Sequence, residues 1–103
     1  MAAEKLELLI LKTLALEPLH GYGIARRIEQ VSEGVFKLTL GSLYPALQRL
    51  EKQALVAAEW KASENGRRAR YYRLTAKGRG RLQVELEDWA RVSAAMARVL
   101  KAT

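Results

Sequence analysis

Thr39 to Leu74 reads TLGSLYPALQRLEKQALVAAEWKASENGRRARYYRL, and this run decides the fold. Leu40, Leu43, Leu47, Leu50 and Ala54 recur at spacings of three and four, which predicts an amphipathic helix. Thr39 stands where its N-cap belongs. The face opposite the stripe is small, polar and basic: Gly41, Ser42, Pro45, Gln48, Arg49 and Lys52. Leu55 to Lys61 and Arg68 to Leu74 are rich in Val, Trp and Tyr and predict two strands. A two-residue turn at Asn65-Gly66 would join them and set Trp60 opposite Tyr71. Arg67 and Arg68 follow that turn directly. A helix able to lie in a groove, beside a basic ribbon able to touch phosphates, is the working end of a winged helix-turn-helix.

Pro45 breaks a local rule. An interior proline leaves the carbonyl four residues back without its partner and crowds it, at a cost of ~3 kcal/mol. Here that carbonyl belongs to Gly41, on the same outward face, where water can solvate it. Both a functional kink and a tolerated one near a helix start fit the pattern.

Outside this run, a first helix is predicted from about Glu4 to Leu16. Leu6, Leu9, Ile10 and Leu14 form one stripe, and Leu8, Leu11 and Ala15 a second. Two stripes call for burial on two sides, so the second is expected to face a partner subunit. Glu17-Pro18 ends the helix. A second helix is predicted over Tyr22 to Val31, opened by His20-Gly21 and stopped by Ser32, Glu33 and Gly34, with Val35 to Leu38 as an extended link. Thr75 caps a last helix reaching about Leu100. Its seam, Leu82, Leu86, Trp89, Ser93, Met96 and Leu100, alternates spacings of four and three over nearly three heptads, which predicts helix-on-helix packing between two copies. The fold class is mainly α with a small β-hairpin: a winged helix-turn-helix over residues 1–74 and a C-terminal dimerisation helix over 75–103.

The chain has 103 residues, enough for one modest core, and a formal net charge of +7. The excess is concentrated. Arg67, Arg68, Arg70, Arg73, Lys77, Arg79 and Arg81 fall between Asn65 and Val84 with no acidic residue among them. Such a surface suits a polyanion. With no cysteine, disulfides, thiol catalysis and Cys-based zinc sites are excluded, and a single histidine, His20, leaves no His-rich metal site. No cofactor or metal is expected. No apolar run is long enough for a membrane span or a signal peptide, which is consistent with a cytoplasmic protein.

His20-Gly21-Tyr22-Gly23-Ile24, Ser42-Leu43-Tyr44-Pro45, Arg49-Leu50-Glu51 and Arg70-Tyr71-Tyr72-Arg73-Leu74-Thr75, in this order of helices and hairpin, closely resemble the PadR family of transcriptional regulators. The resemblance covers nearly the whole chain and fits the short members with one C-terminal helix. It implies a homodimer that represses transcription at a roughly palindromic operator and is released by a small molecule. One departure is Ala54, where the family usually has glycine after the third helix, which puts the left-handed C-cap in doubt.

The expected DNA-contacting residues are Thr39, Ser42, Tyr44, Pro45, Gln48, Arg49 and Lys52 on the third helix, and Arg67, Arg68 and Arg70 on the wing. Tyr44 either packs in the core or offers its hydroxyl to a phosphate. Arg70 and Arg73 point to opposite faces of their strand. His20 reads as a local hydrogen-bonding group at a helix start. Trp89, with Leu8, Leu11 and Met96, either sandwiches a planar aromatic effector across the two-fold axis or simply packs the dimer. The expected partners are thus double-stranded DNA, a second copy and such an effector. The alternative is a winged helix used as a protein-protein interaction module whose basic surface docks on an acidic partner. An RNA reader would need an exposed aromatic platform, and an enzyme a nucleophile-base pair or carboxylate cluster; the sequence leads us to expect neither.

Overall fold

Three helices and a small sheet share one core, and a fourth helix grows out of it. The computed structural model describes residues 3–102. The order is α1 (Ala3–Leu14), β1 (Leu19–His20), α2 (Gly21–Val31), α3 (Leu40–Lys52), β2 (Val56–Ala62), β3 (Arg68–Leu74) and α4 (Ala76–Lys101). Leu6, Ile10, Leu11 and Leu14 of α1 meet Ile24 and Ile28 of α2, Leu43, Ala46, Leu47 and Leu50 of α3, Leu55 and Val56, Tyr72 and Leu74 of β3, and Leu82 of α4.

The helix starts follow the sequence closely. His20 Nδ1 accepts the Gly23 N–H at 2.9 Å and caps α2, the local role expected of it. Thr39 Oγ1 accepts the Ser42 N–H at 3.2 Å at the head of α3. Thr75 Oγ1 accepts the Gly78 N–H at 3.0 Å at the head of α4. Each satisfies an N–H that the first helical turn leaves without a partner.

The sheet differs from the sequence reading in two ways. A two-residue strand, β1, adds to the hairpin, giving the antiparallel order β1-β3-β2 with Leu19 paired to Tyr72. The hairpin register is also shifted by one: Trp60 faces Arg70 and not Tyr71. The Ser63 N–H donates to Arg67 O and the Gly66 N–H to Ser63 O, so the loop has three residues, Glu64, Asn65 and Gly66. Gly66 takes the left-handed φ of +82° that closes such a loop. Ser63 Oγ donates to Asn65 Oδ1 at 2.7 Å and fixes the Asn65 side chain inside the turn.

The third helix ends in a left-handed cap built on alanine. The Leu55 N–H donates to Leu50 O and the Ala54 N–H to Glu51 O, with Ala54 at φ +60°. These are the two bonds of a Schellman motif. The departure at Ala54 therefore alters the residue and leaves the cap intact, and Ala54 lies outside the buried stripe. Leu40 is likewise exposed; Ala46 takes the buried position instead.

Two apolar expectations are corrected by burial. Leu11 is 0% exposed within its own chain, so it faces neither a partner nor a ligand. Leu82 is 6% exposed and belongs to the core of the winged head, not to the outer seam. Contact with α2, α3, β3 and the base of α4 covers both stripes of α1 more fully than a small domain suggested. Beyond Leu82 no described residue of α4 is buried, and the helix gives the molecule its longest dimension, 57 Å against 29 and 21 Å.

Gly78 sets where α4 leaves the head. A Cβ there would fall 2.0 Å from Leu55 O, so only glycine admits this approach. Thr75 Oγ1 also donates toward the carbonyls of Ala54 and Leu55, and Lys77 Nζ donates to Gln53 O at 2.9 Å. The corner between α3 and β2 is thereby joined to the base of α4.

Candidate nucleic-acid interface

With Leu43, Ala46, Leu47 and Leu50 buried, a 100° advance per residue turns Gly41, Pro45, Gln48 and Lys52 directly outward. All four are exposed. Thr39 and Ser42 are exposed at the helix head, where Ser42 Oγ donates back to Thr39 O at 3.1 Å. Pro45 and Gly41 thus share the solvated face, which lowers the cost of the missing bond.

The two flanks of this face have different neighbours. On one side Arg49 Nε lies 3.0 Å from Glu7 Oε2 of α1, and Glu7 is largely covered. Arg49 is therefore turned toward α1 and held there, not free on the outward face. On the other side Tyr44 lies against the start of α2, where its ring rests on Gly21. Tyr44 is 43% exposed, so its ring packs on α2 at the edge of the groove and not in the core.

The wing has an inner and an outer face. Val56, Ala58, Trp60 and Ala62 of β2 stand opposite Leu74, Tyr72, Arg70 and Arg68 of β3, and the buried members of this set mark it as the inner face. Arg70 projects inward and its guanidinium meets Glu51 of α3 at 2.6 Å. It braces the wing against α3 and is not available at the tip. Burial among these residues pushes the Tyr72 phenol above its ordinary pKa, only partly offset by Arg70. Arg67 and Arg68 stand exposed at the tip and make no ion pair among the described residues.

Between α3 and the wing runs a groove of about 660 Å³, lined by Tyr44 and Gln48 on one wall and Trp60, Arg67, Arg68 and Arg70 on the other. His20 and Tyr22 close one end. Arg26 reaches the Tyr22 hydroxyl at 3.3 Å beside the wing tip. The sequence gives no sign of Tyr22, Arg26 and Trp60 in this setting, because the strand register and the α2–wing approach that place them are tertiary. The outcome is a polar helix face, an arginine tip and an aromatic groove on one side of the head. Among the described residues there is no cluster of three metal-ligating side chains.

The match to a family model for the transcriptional regulator PadR-like family extends over residues 10–84, which spans α2, α3, the wing and the base of α4. The chain belongs to the PadR-like family of transcriptional regulators. A PadR-like transcriptional regulator from Bacillus cereus is 29% identical and superposes with a TM-score of 0.85 over 97% of this chain and 95% of its own. A PadR family transcription regulator from Clostridium difficile is also 29% identical, with a TM-score of 0.82 over 92% of this chain and 97% of that one. An uncharacterised 37.1 kDa protein in a Streptomyces fradiae transposon is 44% identical over 93 residues; the chain spans 25% of that relative's length. This PadR-like regulator is mainly helical with a three-stranded antiparallel sheet. It acts in transcription regulation through DNA and not as an enzyme.

The C-terminal half of α4 is the second notable surface. Leu86, Trp89, Val92, Met96, Val99 and Leu100 are all exposed along it. Ser93 lies between them with its hydroxyl covered and without a hydrogen-bond partner among the described residues. Trp89 borders a shallow groove of about 380 Å³ with Lys5, Leu8, Glu85, Asp88 and Val92. Lys5 Nζ stands 4.0 Å over the indole, so one face of the ring already has a cation on it. Leu8 and Trp89 are thus brought together; Met96 is two turns further along α4 and Leu11 is inside the core. Among the described residues, no helix is long and apolar enough to cross a membrane.

Proposed function

We propose that this PadR-like regulator is a homodimeric, sequence-specific repressor in the cytoplasm that binds a two-fold operator in double-stranded DNA. The observation that carries this reading is the outward face of α3, Gly41, Pro45, Gln48 and Lys52, standing beside the arginine tip of the wing. Gln48 offers the amide pair that suits adenine, Lys52 a cation for guanine or phosphate, and Arg67 and Arg68 suit phosphates or the minor groove. Thr39 and Ser42 add hydroxyls at a helix N-terminus, where a phosphate is favoured.

Dimerisation is supported by the apolar length of α4. Leu86, Met96 and Leu100 lie in one heptad seam, and Met96 and Leu100 are 55% and 76% exposed. Residues 1–74 act as the reading head and 75–103 as the assembly helix, with the first turns of α4 serving both through Gly78 and Leu82. In a two-fold dimer the α3 helices must stand roughly 34 Å apart to meet successive turns of one DNA face. Release by a planar aromatic effector is the regulatory part of the proposal. Such a ligand would stack on Trp89 beside Leu8, displacing Lys5, and shift the spacing set by α4.

Selection of bound sequences from random duplex DNA, followed by binding at several salt concentrations, tests the reading. A symmetric consensus bound far more tightly than random duplex is expected. Equal affinity for all duplexes, or binding that ignores salt, rejects it.

A further inference from the structure

Trp60 is 59% exposed on the inner face of the wing, in the groove that faces α3. A tryptophan this open in a short hairpin has no packing reason in the isolated chain: its cross-strand partner, Arg70, is drawn away to Glu51. The guanidinium of Arg68 lies 6.0 Å from the indole ring on the same face. The wing therefore places an apolar plate next to a cation, and the Arg70–Glu51 pair at 2.6 Å keeps both against α3.

The groove is thus shaped for a chain in which anionic and apolar units alternate at short intervals. A deoxyribose-phosphate strand is such a chain. We propose that Trp60 packs on a deoxyribose of the DNA strand whose phosphates reach Arg67 and Arg68, making it a DNA-contacting residue of this wing. The inference rests on the DNA reading above and deepens it. It also separates two kinds of contact within one hairpin. Arginine contacts with phosphate release counterions and steepen the salt dependence, whereas indole-sugar contact removes apolar surface from water and releases none. Trp60 contributes affinity that salt does not weaken.

The test uses a Trp89→Phe background, in which Trp60 is the sole tryptophan, and the selected duplex carrying a fluorescent label. On saturation with unlabelled duplex the Trp60 emission is expected to shift or quench in step with the labelled duplex's rise in anisotropy. Trp60→Ala is expected to weaken binding about tenfold, equivalent to about 1.4 kcal/mol, by the same factor at every salt concentration. Trp60→Phe should recover part of the loss, and thermal melting shows that each variant is folded. If the duplex binds while Trp60 emission or the Trp60→Ala affinity stays unchanged, the indole is outside the interface and the inference fails, with DNA binding intact. A changed salt slope in Trp60→Ala also overturns it. If no duplex binds the unsubstituted chain even at low salt, the DNA reading itself has failed.

Discussion

The phenol of Tyr44 rests on the backbone of Gly21: a Cβ at Gly21 would stand 2.8 Å from Tyr44 Oη and 2.9 Å from its Cζ. This contact is where α3 and α2 meet beside the wing groove. It makes the two glycine close approaches in this protein instructively different. At Gly21 the obstacle is the far end of a side chain, which can swing aside. Gly21→Ala should leave the protein folded, at a cost of roughly 1 kcal/mol, while moving Tyr44 out of its place and weakening operator binding. Melting and DNA titration together check this; unchanged operator affinity would mean that the position of Tyr44 is immaterial.

At Gly78 the obstacle is the Leu55 carbonyl, which is backbone. Gly78→Ala must push α4 off the α3–β2 corner, and a loss of about 3 kcal/mol or more is expected. For a domain of this size each 1 kcal/mol lowers the melting temperature by roughly 4–8 °C, so the effect is easily measured. A variant melting within a few degrees of the parent would show that the corner yields cheaply.

Ala54 offers the opposite sign. Its φ of +60° costs a residue with a Cβ roughly 1–2 kcal/mol. Ala54→Gly removes that strain but adds freedom to the unfolded chain worth about 0.4–1 kcal/mol. A net gain of about 0.5–1 kcal/mol in chemical denaturation is expected, with DNA affinity unchanged.

The Arg49 guanidinium is already engaged by Glu7, which makes its expected role in DNA binding testable. Arg49 is held by Glu7 at 3.0 Å, on the flank of α3 and away from its outward face. As a part-exposed pair it contributes only about 0–1 kcal/mol to stability. Glu7→Gln should therefore barely change melting but release Arg49, raising affinity for all duplexes by a few fold at low salt. Arg49→Ala should abolish that gain. If Glu7→Gln binds DNA as the parent does, the Glu7 pair does not hold Arg49 back from DNA.

Assembly and wing charge can be tested without touching the core. Leu86→Lys with Met96→Lys alters only surface residues of α4, so a folded monomer is expected in sedimentation, and a persisting dimer would place the interface elsewhere. Arg67→Ala with Arg68→Ala should weaken operator and random duplex alike and reduce the salt slope by about one to two units.

The sequence alone determined the features that depend on near neighbours. The 3.6-residue period revealed the inner face of α3, Thr39 and Thr75 marked helix starts, and the Asn65-Gly66 pair marked a hairpin, because each is an interaction spanning a few residues. The same locality made His20 legible as a cap. What only the tertiary structure decided were the relations between distant segments. The third strand and the ion pairs Arg49–Glu7 and Arg70–Glu51 join residues far apart in the chain, whereas the one-residue shift that puts Trp60 opposite Arg70 comes from the three-residue loop of the hairpin. The burial of Leu11 and Leu82 has the same origin: periodicity says that a residue is apolar on one side of a helix, but which neighbour covers that side depends on how all the helices pack. For the candidate interface, the sequence could name the helix face and the arginine tip, while the groove between them exists only once Leu55, Val56, Tyr72 and Leu74 seat the wing on the core beside α3.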